Sequence, residues 1–183
     1  MANVIIIGDG PGGLSAALFL SKNGQEVTVF GQDKTAMHYA LLYNYLGIPK
    51  ILGNDFQKIA REQVAKFGAT LHEQQITEIE QTGDGFTVTT ESGQKLQSKY
   101  LVLAEGKALT LAKALGLETT DEGVVVDRDF RTAIDNLYVV GRSTRIQRSQ
   151  AIISAGSGAV AALDILSKEK GKDFNDYDTP PKE

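Results

Sequence analysis

The chain has 183 residues, a length typical of one domain with a substantial core. Its net charge at pH 7 is −4 and its pI is near 5.3, which argues against a nucleic-acid partner because such surfaces carry a basic excess. Cysteine is absent, which excludes disulfides, thiolate metal sites, iron–sulfur clusters and a dithiol within this sequence. No apolar run has membrane-spanning length and no basic segment precedes the first apolar stretch, so we expect a cytoplasmic protein without membrane contact.

A strand, a glycine-rich turn and a helix open the chain. The apolar run at 4–7 predicts a buried parallel strand, and Gly8, Gly10 and Gly13 follow it with the spacing Gly-x-Gly-x-x-Gly. In this pattern the first glycine permits a tight turn, the second lets the backbone approach a pyrophosphate, and the third lets the helix pack closely on the strand. The free N–H groups at the helix start would hold the phosphates. The pattern predicts a nucleotide-binding βαβ unit, with a glycine-rich turn that binds nothing as the alternative.

The second strand is predicted at 26–30, and Gln32 and Asp33 follow it. In dinucleotide-binding folds an acidic group near the end of this strand binds the adenosine ribose hydroxyls, and Asp33 is the candidate. A turn aspartate that caps the next segment is the alternative.

A tyrosine-rich segment comes next, at residues 35–51. Tyr39 and Tyr43 are spaced to share one helix face, and one of these rings is a candidate to stack on a cofactor. Core or subunit-interface packing is the alternative for the tyrosines. His38 in the same segment is a candidate proton donor, whereas His72 falls on a predicted strand and is interpreted as structural.

The remainder of the chain alternates further strands and helices. Asn54 and Asp55 are candidate N-caps of a helix that runs to about residue 67. The pattern predicts strands at 69–72, 76–80, 86–90, 95–98, 100–104, 123–127 and 137–140, and a long helix at 150–167. We expect an α/β, Rossmann-like three-layer fold: a parallel sheet of about five strands with helices on one side and a three-stranded antiparallel β-meander on the other. Residues 1–169 would form a single domain, and 170–183 a flexible tail.

Four segments of the chain resemble the flavin-binding half of thioredoxin reductases, which are members of the pyridine nucleotide–disulfide oxidoreductase family. They read GDGPGGLSAA at 8–17, NYLG at 44–47, LVLAEG at 101–106, and TAIDNLYVVGR at 132–142 followed by SQAIISAGSGAVAALD at 149–164. The similarity extends from residue 2 to about residue 168. It implies a domain that binds FAD.

The resemblance also implies where FAD would lie. Asn44 would touch the flavin, Ile79 would offer backbone contacts near the adenine, and Gln150 and Ala151 would begin a helix beneath the pyrimidine edge of the flavin ring. A helix start at that point favours the negative charge that the ring gains on reduction. Together, the fingerprint and the resemblance predict cofactor contacts at Gly8, Asp9, Gly10, Pro11, Gly12, Gly13, Gln32, Asp33, Asn44, Ile79, Ala104, Gly106, Gly141, Arg142, Gln150 and Ala151.

The chain departs from the resembled family after the third segment. There the family inserts a second nucleotide-binding domain, which binds NADPH and carries a redox-active Cys-x-x-Cys motif. In this chain Lys107 leads almost directly into the segment 109–117, and no second glycine fingerprint occurs. The sequence therefore resembles a reductase from which the NADPH domain has been removed.

Three single positions also differ from the family's pattern. Glu105 replaces a threonine, Arg142 replaces an aspartate that binds the ribityl chain, and Ser149 replaces an arginine. Loss of a charge-assisted hydrogen bond of that kind would weaken FAD roughly ten- to hundredfold. Arg142 either compensates by pairing with the pyrophosphate, with Arg145 and Arg148 near enough to share that role, or belongs to a solvated basic loop.

The leading functional interpretation is an FAD-binding oxidoreductase that exchanges electrons with an external donor and acceptor, such as free NAD(P)H or a redox partner protein. The alternative is a non-catalytic module that holds FAD for sensing or partner docking. An NAD-binding Rossmann dehydrogenase is disfavoured because the fourth segment has no place in that fold. No catalytic residue is assigned, and with two histidines and no cysteine we expect no metal site. A homodimer is expected, since a flavin domain without its companion would expose apolar surface.

Overall fold

The computed structural model describes residues 3–180, which form a three-layer α/β fold. The helices are α1 (Pro11–Lys22), α2 (Gly53–Lys66), α3 (Thr110–Ala114) and α4 (Ala151–Lys170), and 3-10 turns occur at Ala36–Tyr39 and Gly141–Thr144. The strands are β1 (Asn3–Ile7), β2 (Glu26–Gly31), β3 (Leu41–Leu42), β4 (Ile51–Leu52), β5 (Thr70–Glu73), β6 (Ile76–Thr82), β7 (Gly85–Thr90), β8 (Lys95–Ser98), β9 (Tyr100–Leu103), β10 (Thr119–Thr120), β11 (Gly123–Val124) and β12 (Leu137–Val139). Residues 1–2 of the predicted domain and 181–183 of the predicted tail lie outside this described part.

The central sheet has five parallel strands in the order β5-β2-β1-β9-β12. At its centre, Ile6 of β1 is in register with Val29 on one side and Val102 on the other. Strands β6, β7 and β8 form a separate antiparallel meander. The predicted parallel sheet of about five strands and the predicted three-stranded meander are confirmed.

Both faces of the central sheet are covered, which explains why β1, β9 and β12 consist almost entirely of buried apolar residues. Ile6 faces a core formed with α1, α2 and α4, and the neighbouring Ile5 faces a second core with the meander and the segment 109–124. The alternation along β1 therefore separates the helical layer from the meander layer. This arrangement confirms the predicted placement of helices and meander on opposite faces.

Helices α1 and α4 cross with their backbones in contact. A Cβ atom on Gly158 would lie 2.0 Å from the carbonyl oxygen of Gly12, and a Cβ on Gly12 would lie 3.1 Å from the Cα of Gly141. Small residues at this crossing thus hold the starts of both helices near the end of β12. Among the described helices, α4 alone has the length and hydropathy to cross a membrane, and a core helix packed in this way has the same composition.

The tyrosine-rich segment differs from its predicted structure. Tyr39 ends a single 3-10 turn and Tyr43 lies beyond the two-residue strand β3, so the predicted shared helix face is wrong. Thr35 begins the turn by accepting a hydrogen bond from the Met37 N–H. Neither Tyr39 nor Tyr43 is packed in the core, since their exposed fractions are 94% and 64%.

The start of α2 also differs from the prediction. The helix begins at Gly53, where the backbone passes so close to Met37 that a Cβ would lie 1.8 Å from the Met37 carbonyl oxygen. Asn54 and Asp55 therefore lie inside the first turn, and neither is the N-cap residue. The Asn54 side chain instead makes a short hydrogen bond with His38 Nδ1.

Smaller differences occur near the carboxyl end. Strand β11 is only two residues long, and α4 continues to Lys170, where Gly171 ends it with a left-handed conformation. Beyond α4, residues 172–180 contain no helix or strand, but they contact the domain. Lys22 of α1 forms ion pairs with Asp176 at 2.9 Å and Asp178 at 2.5 Å, and Phe174 packs against the helical core.

Candidate functional site: a cleft at the carboxyl edge of the sheet

A cleft of about 930 Å³ opens at the carboxyl edge of the parallel sheet. Four of the parallel strands are followed by residues that line the cleft. Gly8, Gln32 and Ala104 come directly after β1, β2 and β9, and Gly141 comes two residues after the end of β12. In open α/β sheets ligands bind outside this edge of the strands. The meander contributes Ile76 and Thr77 from the start of β6.

Two helix starts meet at this cleft. Gly10 and Pro11 at the start of α1 line it, and so do Gln150 and Ala151 at the start of α4. In neither helix does a side chain cap the first turn. The first-turn N–H groups are therefore available to an anionic ligand, and both helix dipoles favour negative charge there.

The glycine turn has the conformation that its sequence predicts. Gly8 has a φ of +109°, and a Cβ there would lie 2.3 Å from the Ala104 carbonyl oxygen. A Cβ on Gly13 would lie 1.9 Å from the Gly8 carbonyl oxygen, so only glycine lets α1 begin this close to the turn. The position of Gly10 is open, because a Cβ built there would meet only Thr35 Cγ2, at 4.0 Å. The turn thus leaves room for a ligand above Gly10.

The structure gathers most of the predicted cofactor contacts in this one cleft. Those that line it are Gly8, Asp9, Gly10, Pro11, Gly12, Gln32, Ala104, Gly106, Gly141, Arg142, Gln150 and Ala151. Four others do not line it: Gly13, Asp33, Asn44 and Ile79. Gly13 packs against the carbonyl of Gly8. Asn44 donates a 2.9 Å hydrogen bond to Gln150 Oε1.

Ile79 lies too far along β6 to reach the cleft. It pairs with Val88 of β7 and packs against the meander core. Ile76 and Thr77, at the beginning of the same strand, form the wall of the cleft instead. Of these three residues of β6, Ile79 is therefore the one that lies outside the cleft.

Asp33 is directed away from the cleft. Its backbone is left-handed, with a φ of +50°, and its Oδ1 lies 3.2 Å from His38 Nε2. The same ring nitrogen lies 2.5 Å from the Asp33 carbonyl oxygen, and Nδ1 bonds Asn54. These hydrogen bonds, that to Asn54 first, raise the pKa of His38 above its usual value. His38 does not line the cleft, so its candidate role as a proton donor there has no geometric support.

Asp9 lies inside the glycine turn and is only 4% exposed. Its Oδ2 accepts a hydrogen bond from the Asp33 N–H at 3.0 Å and a short one from the Arg61 guanidinium of α2. Burial raises the pKa of Asp9, and the Arg61 charge opposes part of that rise. Gln57, also buried, donates a 2.5 Å hydrogen bond to the Asp9 carbonyl oxygen. The Arg61 guanidinium also donates a 3.1 Å hydrogen bond to Oε1 of Glu73, at the end of β5.

Sequence reasoning placed Asp9 at the site but missed Gln57 and Arg61. The signal was an aspartate within a glycine fingerprint, since a carboxylate in a buried turn requires a cationic or hydrogen-bonding partner. Nothing in the pattern of α2 says which of its basic residues that partner is.

Arg142 lies on the cleft wall, and within residues 3–180 it has no acidic partner. Its Nε is buried and has no hydrogen-bond partner among the described residues. Of the other two arginines expected to share its role, Arg145 does not line the cleft, and Arg148 pairs with Glu122 at 2.9 Å outside it. An unpartnered buried donor on a cleft wall is the feature that an oxygen-rich or anionic ligand would satisfy.

Glu105, the residue that replaces threonine in the third segment, caps a helix. Its two carboxylate oxygens accept hydrogen bonds from the N–H groups of Leu111 and Ala112, each at 2.9 Å. The N–H groups in the first turn of α3 therefore stabilise this negative charge. Lys34 and Lys107 also line the cleft, which leaves its walls richer in free positive than in free negative charge.

Comparison with known proteins places the chain in a family. The model of the family described as "Pyridine nucleotide-disulphide oxidoreductase" matches residues 2–48 and 40–161. A ferredoxin–NADP reductase from Levilactobacillus brevis is 29% identical over 181 residues, covering 91% of this chain and 50% of its own length. One from Thermus thermophilus is 33% identical over 175 residues, covering 90% and 50%.

The solved structures agree with this assignment in fold. The atypical thioredoxin reductase TRi from Desulfovibrio vulgaris Hildenborough superposes with a TM-score of 0.85 at 19% identity, covering 93% of this chain and 99% of the other. The chain spans about half the length of the curated relatives it matches. It belongs to the pyridine nucleotide-disulphide oxidoreductase family, whose members are FAD-binding flavoproteins.

Proposed function

We propose that the protein is an FAD-dependent oxidoreductase that exchanges electrons with a donor and an acceptor from outside this chain. One observation carries the proposal: two uncapped helix starts, those of α1 and α4, converge on a single cleft whose wall contains an unpaired arginine. That combination suits a ligand with a diphosphate at its centre and a group that gains negative charge at one end.

The residues present fit FAD. The start of α1 and the open position above Gly10 would hold the pyrophosphate, and Arg142 would satisfy its buried Nε on a phosphate or ribityl oxygen. Gln150 and Ala151 would lie at the flavin end, where the α4 dipole favours negative charge. When bound, FAD supplies hydride and electron transfer, and the protein supplies binding, orientation and electrostatics.

The electron partners are the finer part of the proposal. The matched relatives carry the names ferredoxin–NADP reductase and thioredoxin reductase, so NAD(P)H as donor and a small redox protein as acceptor are the first candidates. This sequence contains no cysteine and therefore no dithiol to relay electrons to a thioredoxin. The same absence favours the second candidate function, a non-catalytic module that holds FAD for sensing or docking.

A cytoplasmic homodimer remains part of the proposal. Exposed apolar side chains support the dimer, among them Tyr39 at 94% and Leu46 at 89% exposure. Sedimentation of the purified protein measures this directly. A single species with the mass of one chain at every concentration would remove the dimer from the proposal.

The visible spectrum of the protein reconstituted with FAD tests the function. Under anaerobic conditions, NADH or NADPH is added and the decay of the flavin band near its long-wavelength maximum is followed, with dithionite as the control that reduces any accessible flavin. Rapid bleaching by a nicotinamide supports the oxidoreductase. Bleaching by dithionite alone supports the non-catalytic module. A protein that takes up NAD and not FAD would contradict both and favour a dehydrogenase.

A further inference from the structure

We propose that Asp9, in the first turn, supplies the carboxylate that binds the adenosine ribose hydroxyls, and that Asp33 after β2 does not. The inference deepens the proposed function, since it assigns a contact of the same cofactor. It moves this contact from the end of the second strand to the glycine fingerprint itself.

The first support is the orientation of Asp33. Its side chain faces His38 rather than the cleft, and its left-handed backbone is held by the hydrogen bond from its own N–H to Asp9 Oδ2. Gln32 and Lys34, on either side of it, line the cleft, whereas Asp33 does not. The acidic residue that the sequence places after β2 is therefore turned out of the site.

The second support is the position of the Asp9 carboxylate. A Cβ built on Gly31, the last residue of β2, would lie 2.3 Å from Asp9 Cγ and 2.5 Å from Asp9 Oδ1. The carboxylate thus occupies the space that a side chain at the end of β2 would take. Gly31 leaves that space empty, and Asp9 fills it with the functional group that dinucleotide sites place there.

The third support is that the two carboxylate oxygens of Asp9 differ in their hydrogen bonds. Oδ2 accepts from Arg61 and from the Asp33 N–H, whereas Oδ1 accepts from no other residue in the described part of the chain. Asp9 lines the cleft and 5% of its side-chain surface is exposed, which leaves a ligand in the cleft a route to the carboxylate. A ribose hydroxyl would complete its hydrogen bonding.

The surroundings hold this carboxylate in place. Arg61 lies behind it and supplies the opposite charge, and Gln57 fixes the backbone of Asp9 through the carbonyl oxygen. Glu73 orients Arg61 from the end of β5. A carboxylate positioned before the ligand arrives loses little freedom on binding, which favours a strong hydrogen bond.

The test uses ligand pairs that differ only at the ribose. Calorimetry measures the binding of ADP and of 2′,3′-dideoxy-ADP to the FAD-free protein. For the unaltered chain we expect ADP to bind about ten- to hundredfold more tightly, because a hydrogen bond to a charged group is lost in the dideoxy compound. Equal affinities would overturn the proposal without any variant being needed.

Two matched variants assign the contact to a residue. Asp9→Asn removes the charge with little change of shape, and we expect the ratio of ADP to dideoxy-ADP affinity to fall about tenfold. Asp33→Asn is the control and should leave the ratio unchanged, and the opposite pattern would return the role to Asp33. A purely structural Asp9–Arg61 ion pair predicts weaker binding of both ligands with an unchanged ratio, which would also overturn the assignment.

The outcomes separate this inference from the proposed function. A protein that binds FAD and is reduced by a nicotinamide, but does not distinguish the two nucleotides, refutes the Asp9 assignment alone. A protein that binds neither FAD nor ADP refutes both.

Discussion

The side-chain amide of Asn44 donates a 2.9 Å hydrogen bond to the Oε1 of Gln150, across 106 positions of sequence. Gln150 is the N-cap residue of α4, and Asn44 lies two residues after β3 within the tyrosine-rich segment. The bond therefore ties an irregular segment to the start of α4, which lines the cleft. Both residues were predicted contacts of the cofactor, and the structure joins them to each other.

This bond predicts energetic coupling between the two residues. Asn44→Ala and Gln150→Ala should each weaken FAD about two- to tenfold, since an exposed hydrogen bond is worth about 0.5–1.5 kcal/mol. The double variant should lose less than the sum of the single losses. Quenching of flavin fluorescence measures all four affinities. Strict additivity would show that the two side chains act independently.

Replacement of Arg142 should loosen the cofactor strongly. Arg142→Ala removes an unpaired guanidinium from the cleft wall, and we expect FAD affinity to fall roughly ten- to hundredfold. Arg148→Ala is the matched control, because Arg148 pairs with Glu122 away from the cleft. Equilibrium titration of both variants checks this. Unchanged affinity in Arg142→Ala would assign the residue to a solvated loop.

The crossing of α1 and α4 predicts opposite effects for two neighbouring glycines of one helix. Gly158→Ala places a methyl group 2.0 Å from the Gly12 carbonyl oxygen, and overpacking of this kind costs about 1–3 kcal/mol or more of unfolding free energy. Gly156→Ala meets nothing within 4 Å and should stabilise α4 by about 0.5–1 kcal/mol.

Urea denaturation of the Gly158→Ala and Gly156→Ala variants measures both changes in the free energy of unfolding. A stable Gly158→Ala variant would mean that the helices separate at low cost. The Gly156→Ala variant controls for the general effect of alanine on helix propensity, because it changes the same helix by the same group.

The hydrogen bonds of His38 predict a pH dependence. Because Asn54 and the Asp33 carbonyl raise the pKa of His38, its NMR titration should have a midpoint above 6.5. The stabilisation that the protonated ring gives is complete below the pKa of the unfolded chain and is lost as pH rises through the folded pKa. Only one other histidine exists, so His38→Gln assigns the signals. A midpoint at or below 6.5 would contradict the geometry.

The sequence was informative where structure depends on local pattern. The central strands are continuous apolar runs ended by glycine or polar residues, and the meander strands alternate between short turns, so both could be located without knowledge of their partners. The glycines at positions 8 and 13 could also be interpreted from sequence, because a side chain at either position would collide with a backbone carbonyl oxygen.

The predictions from sequence were wrong or incomplete where contacts between distant residues determine the local structure. The start of α2 is set by contact between Gly53 and Met37, and the tyrosine-rich segment is held by His38, Asn54 and Gln150 rather than by a helical pattern. The Arg61 that neutralises Asp9 lies 52 positions away. Tertiary contacts of this kind override propensity, and a single sequence does not contain them.

The close approach of Gly12 to Gly158 has a practical consequence. It makes the glycine turn one side of a helix crossing, so a substitution in the middle of α4 that separates the two helices would also displace the turn. Yellow colour in colonies or lysates would then report on interior fit as well as on the ligand's own contacts. A library of interior variants could be sorted by eye.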